Sequence, residues 1–180
     1  AEAFTRSALV EWHRRGGDNA HTVVAVQDGA AWIQAFVDYH CPQAKRVLDF
    51  AHAQEYVARV GRAIYGAETA TFQQWYGRIS RQLGHQPPEH TISELHLLQR
   101  QHPDHPEQEA IALSIRYLEK RLPMMDYPHF RRQQIPIGSG IAESGHIVVM
   151  QSRMKQAGMR WAETSLNPML ALRMALCNQR

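Results

Sequence analysis

The pattern of hydrophobic and polar positions predicts helices that alternate with strands in the first part of the chain. Apolar residues recur at helical spacing over residues 3–15, where a glycine pair ends the helix. The β-branched run Thr22 to Val26 is typical of a strand covered on both faces, as in a parallel sheet. A second helix is predicted over residues 30–39, with Trp32 facing inward, and a second strand over residues 46–50. This order predicts an α/β topology with right-handed crossovers.

From residue 52 onward the spacing of apolar residues predicts helices only. Thr91 and Glu94 match a Thr-x-x-Glu capping box at the start of one of them. Residues 123–136 are bounded by prolines and are expected to be irregular, and a last helix is predicted over residues 164–177. The segment that contains the strands is too short to form a stable core alone. We therefore expect a helix-rich protein in which a helical insertion interrupts one α/β domain.

Composition indicates a globular protein, with 44% hydrophobic and 21% charged residues. No apolar run approaches the roughly 20 residues that a membrane span requires, so no membrane partner is expected. The N-terminal segment is amphipathic, unlike a signal peptide, and the two cysteines suggest no disulfide framework. A cytoplasmic location is the simplest expectation. The sequence starts without Met and ends after an apolar helix, so a fragment of a longer protein is expected.

Positive charge is concentrated near the C-terminus although the net charge is only +3. Residues 131–160 contain a single acid, Glu143, against five basic residues: Arg131, Arg132, Arg153, Lys155 and Arg160. A basic helix over residues 150–161, which ends at Trp161, suits a polyanionic partner. A solvated helix face is the alternative interpretation.

Asp28 is the first candidate for chemistry, because it directly follows the predicted first strand. In open α/β sheets, ligands bind at the carboxyl ends of the strands. Asp28 is therefore a candidate metal ligand. The alternative is structural, since Asp-Gly after a strand is a common turn.

Glu143 is the second candidate, in the first turn of a helix that follows Gly138-Ser139-Gly140. Helical spacing aligns Glu143 with an apolar stripe that includes Ile147, and a buried carboxylate is costly unless it is paired or binds a metal. An acid that complements the helix dipole is the structural alternative. Together with Asp28 it suits Mg²⁺, which prefers carboxylate oxygens. Two such ions support phosphodiester chemistry, but the third carboxylate of such a site would come from elsewhere.

Asp49, His52 and Cys41 form a weaker group of candidates around the second strand. Asp49 is either a further metal ligand or the N-cap of the next helix. Cys41 and His52 would make half of a zinc site, which gives a structural zinc module as a third, weaker interpretation of the chain.

Three motifs, in this order, resemble bacterial insertion-sequence transposases of the DDE type, with the Kra-type group as the nearest likeness. They are QDGAAWI at 27–33, CPQAKRVLDFAHAQEYV at 41–57 and IPIGSGIAESGHIVVMQSRMKQAGMRW at 135–161. The resemblance implies a ribonuclease-H-like core in residues 1–52 and 135–180, and a helical insertion in residues 53–134.

The resemblance also implies the site. Asp28 matches the second catalytic Asp and Glu143 the final Glu, both ligands of Mg²⁺ or Mn²⁺. The first catalytic Asp matches no residue of this sequence, so the chain is expected to have little or no activity alone. Arg153, Lys155 and Arg160 are expected to contact DNA phosphates, and Trp161 to stack on a base. His146 stands where relatives often carry a basic residue.

The expected function is therefore that of a fragment of a DNA transposase. The intact enzyme, expected to be a homo-oligomer, would cleave DNA at transposon ends and transfer the strands into target DNA. The alternative is a non-enzymatic remnant or domesticated module that binds DNA through the basic helix 150–161.

Overall fold

The computed structural model describes residues 2–155 and 157–178, with side chains from residue 5 onward. The chain divides into two compact units, Ala1–Gly138 and Ser139–Arg180. No helix among the described residues is both long and apolar enough to cross a membrane.

The first unit follows the alternation that the sequence predicts. Its described elements are, in order, α1 (Glu2–Arg14), β1 (Val24–Gln27), α2 (Ala31–His40), β2 (Lys45–Leu48), α3 (Phe50–Tyr65), α4 (Ala70–His85), α5 (Pro88–Gln101), α6 (Gln108–Glu119) and α7 (Tyr127–Arg132). Short 3₁₀ turns lie at Gly17–Asn19 and Leu122–Met124. The prediction of a helix-rich α/β protein is confirmed at this level.

The two strands pair in parallel, with α2 as the crossover between them. The register runs from Val24 opposite Lys45 to Gln27 opposite Leu48. Successive side chains of a strand point to opposite faces, and here both faces are covered. Val24 and Val26 pack against the larger core, whereas Val23 and Ala25 pack against a smaller cluster on α2. The prediction of a strand covered on both faces is therefore confirmed.

The larger core joins the sheet to the later helices. Its fully buried side chains come from both parts of the unit: Val47, Leu48, Val57, Val60, Ile79, Leu83, Leu95, Ile111, Ile115, Leu118, Met125 and Tyr127. The predicted segments 1–52 and 53–134 thus contribute to one hydrophobic core, which can contribute roughly 1.5–3 kcal/mol per fully buried large apolar side chain. Their division into core and insertion stays a prediction.

Three local expectations for the first unit are wrong. Helix α5 begins at Pro88, in the first helical position that proline favours, so Thr91 lies inside the helix and is buried rather than capping it. Residues 123–136 contain α7, where the Asp126 carboxylate accepts a hydrogen bond from the His129 N–H (3.2 Å). Trp32, expected to face inward, is 50% exposed.

The second unit is built from short helical pieces and one longer helix. Helix α8 (Gly140–His146) continues into a π-helical turn (Ile147–Gln151) and α9 (Ser152–Met154), and α10 spans Glu163–Cys177. None of the residues described in this unit is buried. The predicted apolar stripe is therefore not a core: Ile147, on the face of Glu143, is 48% exposed.

Candidate functional site

Asp28 lies directly after β1, at the carboxyl end of the parallel pair. Its side chain is exposed, and its Oδ1 accepts a hydrogen bond from the Ala30 N–H at 2.8 Å. This contact closes an Asx turn, the structural role that the Asp-Gly sequence suggests. Oδ2 makes no hydrogen bond within the described part of the chain. The turn therefore leaves Oδ2 of Asp28 accessible. Asp28 can close the turn through Oδ1 and still bind a metal ion through Oδ2.

The backbone of this turn is held by two side chains from the region of α6. The Tyr117 hydroxyl donates a hydrogen bond to the Asp28 carbonyl, and Arg121 Nη2 donates to the Gly29 carbonyl at 2.7 Å. Gly29 has a φ of +77°, which favours glycine. A Cβ built there would lie 2.3 Å from Arg121 Nε and 2.6 Å from the Tyr117 hydroxyl. The turn is therefore closely packed as well as hydrogen-bonded.

Four stacked groups, which we call the anchoring stack, tie this turn to α3 and α6. The Tyr56 and Tyr117 rings are nearly parallel, with centroids 3.7 Å apart. Arg59 covers the Tyr56 ring (4.4 Å to the centroid) and Arg121 covers the Tyr117 ring (3.6 Å). Cations over aromatic faces stabilise such an arrangement electrostatically. The position of Asp28 is thus fixed by tertiary contacts that involve two helices.

The environment of Tyr117 also determines its protonation. Burial raises the pKa of Tyr117 to about 12, and the neighbouring Arg121 charge acts in the opposite direction. A phenol with this pKa is protonated at neutral pH and can donate to the Asp28 carbonyl.

The sequence analysis missed Tyr117 and Arg121. Tyr117 lies 89 positions from Asp28, and Arg121 lies 92 positions from Gly29. Their spacing places both on one face of a helical turn, but no sequence signal connects that face to the Asp-Gly turn.

Asp49 follows β2 as Asp28 follows β1, and it has a structural role. It is buried (8% exposed), and its Oδ1 accepts the His52 N–H at 3.1 Å as the N-cap of α3. Nearby, the Tyr127 hydroxyl donates to the Leu48 carbonyl at 3.0 Å. Burial, with a smaller effect of the Asp49 charge, raises the pKa of Tyr127. Of the two open interpretations of Asp49, this geometry supports the helix cap.

Cys41 and His52 have separate surroundings. Cys41 belongs to the smaller cluster with Val37 and Ala44, and burial raises the pKa of its thiol. His52 instead makes edge contacts with Tyr56 and Tyr117. Since zinc binds the thiolate form of cysteine, the raised pKa disfavours Cys41 as a ligand.

Glu143 lies in the first turn of α8 in the second unit, and its side chain is exposed. Its backbone N–H donates to the Ser139 carbonyl at 3.0 Å, the first hydrogen bond of the helix. The expectation that this carboxylate lies on a buried apolar stripe is wrong. Because the Glu143 carboxylate is exposed, it pays no cost of burial that a metal ion would have to offset. The carboxylate is accessible to a ligand.

Arg173 of α10 is a further residue that the sequence analysis missed. Its Nη2 donates to the Val148 carbonyl at 2.5 Å, and its Nε donates to the Val149 carbonyl at 3.4 Å. The Ser152 hydroxyl also donates to Val148, at 2.6 Å. A π-helical turn shifts backbone pairing and is frequent at functional sites. Arg173 thus satisfies carbonyl groups within the turn that follows the Glu143 helix.

The predicted DNA-contacting residues are mostly exposed. His146, Arg153, Lys155 and Arg160 are exposed, and among the described residues none of them pairs with a carboxylate. Trp161 is half-buried, and its Nε1 has no hydrogen-bond partner among the described residues. The prediction of one helix over residues 150–161 is wrong, because α9 ends at Met154 and residues 157–162 are turn or irregular. Residue 156 lies outside the described residues.

Within residues 2–155 and 157–178, no group of three or more His, Cys, Asp or Glu side chains could hold a metal ion. Asp28 belongs to the first unit and Glu143 to the second. Comparison of the chain with protein-family models, with curated proteins and with solved structures finds no match.

Proposed function

We propose that this chain is the C-terminal part of the catalytic domain of a DDE transposase, with a ribonuclease-H-like core and a helical insertion over residues 53–134. The observation that carries the proposal is the placement of Asp28 directly after strand β1, in a turn anchored by Tyr117 and Arg121. The carboxyl end of a parallel pair is where α/β proteins bind ligands. The resemblance of three ordered motifs supplies the reaction class.

In this proposal, Asp28 and Glu143 are ligands of Mg²⁺ or Mn²⁺. Both carboxylates are exposed, and carboxylate oxygens are the ligands that these ions prefer. A bound ion would activate a water or a hydroxyl group and stabilise the leaving oxygen of a phosphodiester. Tyr117 and Arg121 are positioning residues, since they hold the backbone from which the Asp28 side chain extends.

The DNA contacts are assigned to the second unit. Arg153, Lys155 and Arg160 bind phosphates, with His146 as an additional contact, and Trp161 stacks on a base. The intact enzyme acts as a homo-oligomer in the cytoplasm on transposon ends and target DNA.

The test is Glu143→Gln in the intact transposase. The substitution keeps the size and polarity of the side chain but removes the charge that holds a metal ion, so strand transfer should be abolished while folding and DNA binding are retained. Glu163→Gln, which changes an acid in the first turn of α10, is the matched control and should transfer strands normally. Strand transfer by Glu143→Gln would contradict the assignment, and unfolding of this variant would make Glu143 structural.

Lys155→Ala tests the DNA contact separately. Loss of one phosphate contact should lower affinity for duplex DNA and reduce the slope of log K against log salt by about 0.9. An unchanged slope would argue against contact by Lys155.

The first acid of the triad matches no residue of this sequence, so the chain alone should show little or no cleavage. Incubation with supercoiled plasmid and Mg²⁺ or Mn²⁺ checks this expectation. Cleavage that Glu143→Gln abolishes would show that a third ligand exists within the chain.

A non-enzymatic DNA-binding module is the second candidate function. The exposure of Arg153, Lys155 and Arg160 without carboxylate partners in the described chain favours it. This function predicts that the chain binds DNA with the same affinity in Mg²⁺ and in EDTA. It also predicts that the intact protein transfers no DNA strands.

A further inference from the structure

Two helices of the first unit that pack against each other carry basic residues and no acids. Helix α4 contains Arg78, Arg81 and His85 and has no Asp or Glu along its length. Helix α7 contains His129, Arg131 and Arg132, and the chain from there to Gly138 is also without acids. Since α4 packs against α7, their cations lie on neighbouring parts of the surface.

Hydrogen bonds connect the end of α4 to Arg131 of α7. The Arg81 carbonyl can only accept, so His85 Nδ1 donates to it at 2.9 Å and His85 Nε2 accepts from Arg131 Nη1 at 3.3 Å. Arg131 Nη1 also donates to the Gly84 carbonyl at 3.0 Å. These bonds fix the end of α4 to α7.

A further hydrogen bond connects the end of α7 to the start of β2. Lys45 Nζ donates to Gln133 Oε1 at 2.7 Å, directly after α7. We call the resulting surface the basic strip, and its members are Lys45, Arg81, His85, Arg131 and Arg132, all exposed.

The charges of the basic strip are not neutralised within the unit. None of its arginines or its lysine forms an ion pair with a carboxylate in the part of the chain that the structure describes. Arg78 of α4 is outside the strip and pairs with Glu94 of α5. Elsewhere in the unit, Arg46 pairs with Asp38 (2.5 Å) and Arg59 with Glu55 (2.7 Å). The acid closest in sequence to the end of α4 is Glu89, and it pairs with no member of the strip. The strip therefore presents free positive charge to a partner.

The surroundings of the basic strip favour a phosphate backbone over a lipid surface. Its neighbours along the chain include Gln82, Gln86 and Gln134, which donate hydrogen bonds as readily as they accept them. The large exposed hydrophobic residues of the described chain lie outside both helices. A surface that binds membranes usually inserts apolar side chains beside its cations, whereas phosphate recognition uses Arg, Lys and Gln donors.

We propose that the basic strip binds the phosphate backbone of duplex DNA, as a contact surface on the first unit in addition to the cations of the second unit. The choice of DNA as the polyanion rests on the proposed function. The contact itself is independent of the metal ligands, so the strip binds DNA in EDTA.

The double variant Arg81→Gln, Arg132→Gln tests the proposal on this chain. Among the described residues, Arg81 Nε bonds only to the Gly77 carbonyl of its own helix, and Arg132 makes no hydrogen bond, so the fold should be retained. Arg131 is left intact because it holds α7 to α4. The matched control is Arg100→Gln, Arg116→Gln, which removes the same charge from exposed positions on α5 and α6.

Affinity for a short duplex is measured by fluorescence anisotropy in EDTA over a range of salt concentrations, and folding by circular dichroism. The strip variant should bind on the order of tenfold or more weakly, with a slope of log K against log salt reduced by about 0.9 for each lost contact. The control pair should change affinity only slightly. Equal affinity and slope for the two variants would overturn the proposal.

The remaining outcomes separate this inference from the proposed function. Weaker binding of the strip variant to phosphatidylserine vesicles, with DNA binding unchanged, would assign the strip to a lipid surface and overturn the proposal. If both variants bind DNA like the wild type while Lys155→Ala binds less tightly, the strip is excluded and the DNA contacts of the proposed function stand. If the wild-type chain binds no duplex, the DNA contacts of both proposals are wrong.

Discussion

The two units carry the two candidate carboxylates in different surroundings. In the first unit, Asp28 follows a strand that packs on both faces, and the backbone of its turn is held by Tyr117 and Arg121. In the second unit, Glu143 lies on a seven-residue helix, and its described hydrogen bonding is that of the helix backbone. The residues described there include none that is buried.

This difference indicates how each carboxylate depends on the rest of its unit. The position of Asp28 is set by contacts that are distant in sequence, so changes around it should alter the stability of the first unit. The helix turn that carries Glu143 is held by its own backbone hydrogen bonds, so substitution of the Glu143 side chain should affect function with little effect on folding. Pairs of matched substitutions, one in each unit, test this contrast.

The largest difference is expected for leucine-to-alanine substitutions. Leu118 of α6 is 0% exposed and Leu172 of α10 is 56% exposed. Leu118→Ala should lower the free energy of unfolding by about 2–5 kcal/mol, because it leaves a cavity in the core. Leu172→Ala should change it by less than about 0.5 kcal/mol, as exposed substitutions do. Urea denaturation monitored by tryptophan fluorescence and circular dichroism measures both, and equal losses would break the contrast.

Two glycines with nearly the same φ provide a sharper pair. Gly29 has a φ of +77° and Gly158 has a φ of +78°, but a Cβ would meet nothing within 4 Å at Gly158. Gly158→Ala should cost only the backbone strain, about 1–2 kcal/mol. Gly29→Ala should cost at least about 1 kcal/mol more, because it displaces Tyr117 and Arg121 and weakens their hydrogen bonds.

The measurement for this pair is the loss of backbone-amide protection from hydrogen exchange, read separately for the residues of each unit. Gly29→Ala should raise exchange at β1 and the start of α2. If both variants raise exchange equally in their own units, the packing around Gly29 does not contribute as described.

A smaller effect is expected for Tyr117→Phe, which removes the hydroxyl and keeps the anchoring stack. The loss of its hydrogen bond to the Asp28 carbonyl should cost about 0.5–1.5 kcal/mol of the free energy of unfolding. Tyr76→Phe is the control, since Tyr76 is half-buried and its hydroxyl makes no hydrogen bond within the described chain. A cost for Tyr117→Phe no greater than that of the control would show that the hydroxyl does not anchor the turn.

A last effect, confined to alkaline pH, is expected at Tyr117. Burial raises its pKa from 10.0 to about 12 in the folded protein, so the unfolded phenol ionises first. The contribution of Tyr117 to stability is therefore fully present below pH 10 and is lost as the pH rises through about 12. Stability should fall more steeply over this range in the wild type than in Tyr117→Phe. If the free energy of unfolding fell equally with pH in the wild type and in Tyr117→Phe, the environment assigned to the Tyr117 phenol would be wrong.

Much of the fold could be predicted from the sequence because it depends on local pattern. The β-branched run before Asp28 predicted a strand covered on both faces, and Val24 and Val26 do pack on the opposite side from Ala25. The prediction that Thr91 caps a helix is wrong because α5 already begins at Pro88. Proline is itself common in the first turn of a helix, so Pro88 also indicated a helix start.

The candidate site could be predicted only in part. Asp28 was identified because a carboxylate after a buried strand is a local signal. Its anchors, Tyr117 and Arg121, come from α6 and the segment after it, and the pattern around Asp28 holds no information about them. Glu143 was correctly placed in the first turn of a helix, but helical spacing alone cannot show whether a stripe is buried, and Ile147 is exposed.

The central claim of the proposed function is that Asp28 and Glu143 are each a ligand of Mg²⁺ or Mn²⁺. Paramagnetic broadening of the amide signals by substoichiometric Mn²⁺ tests it on this chain, with Gly29 and Ser144 as reporters beside the two carboxylates. The claim predicts that both signals broaden, that Asp28→Asn reduces the broadening at Gly29, and that Glu143→Gln reduces the broadening at Ser144. Broadening at only one reporter, or broadening that the substitution of the neighbouring carboxylate leaves unchanged, would contradict it.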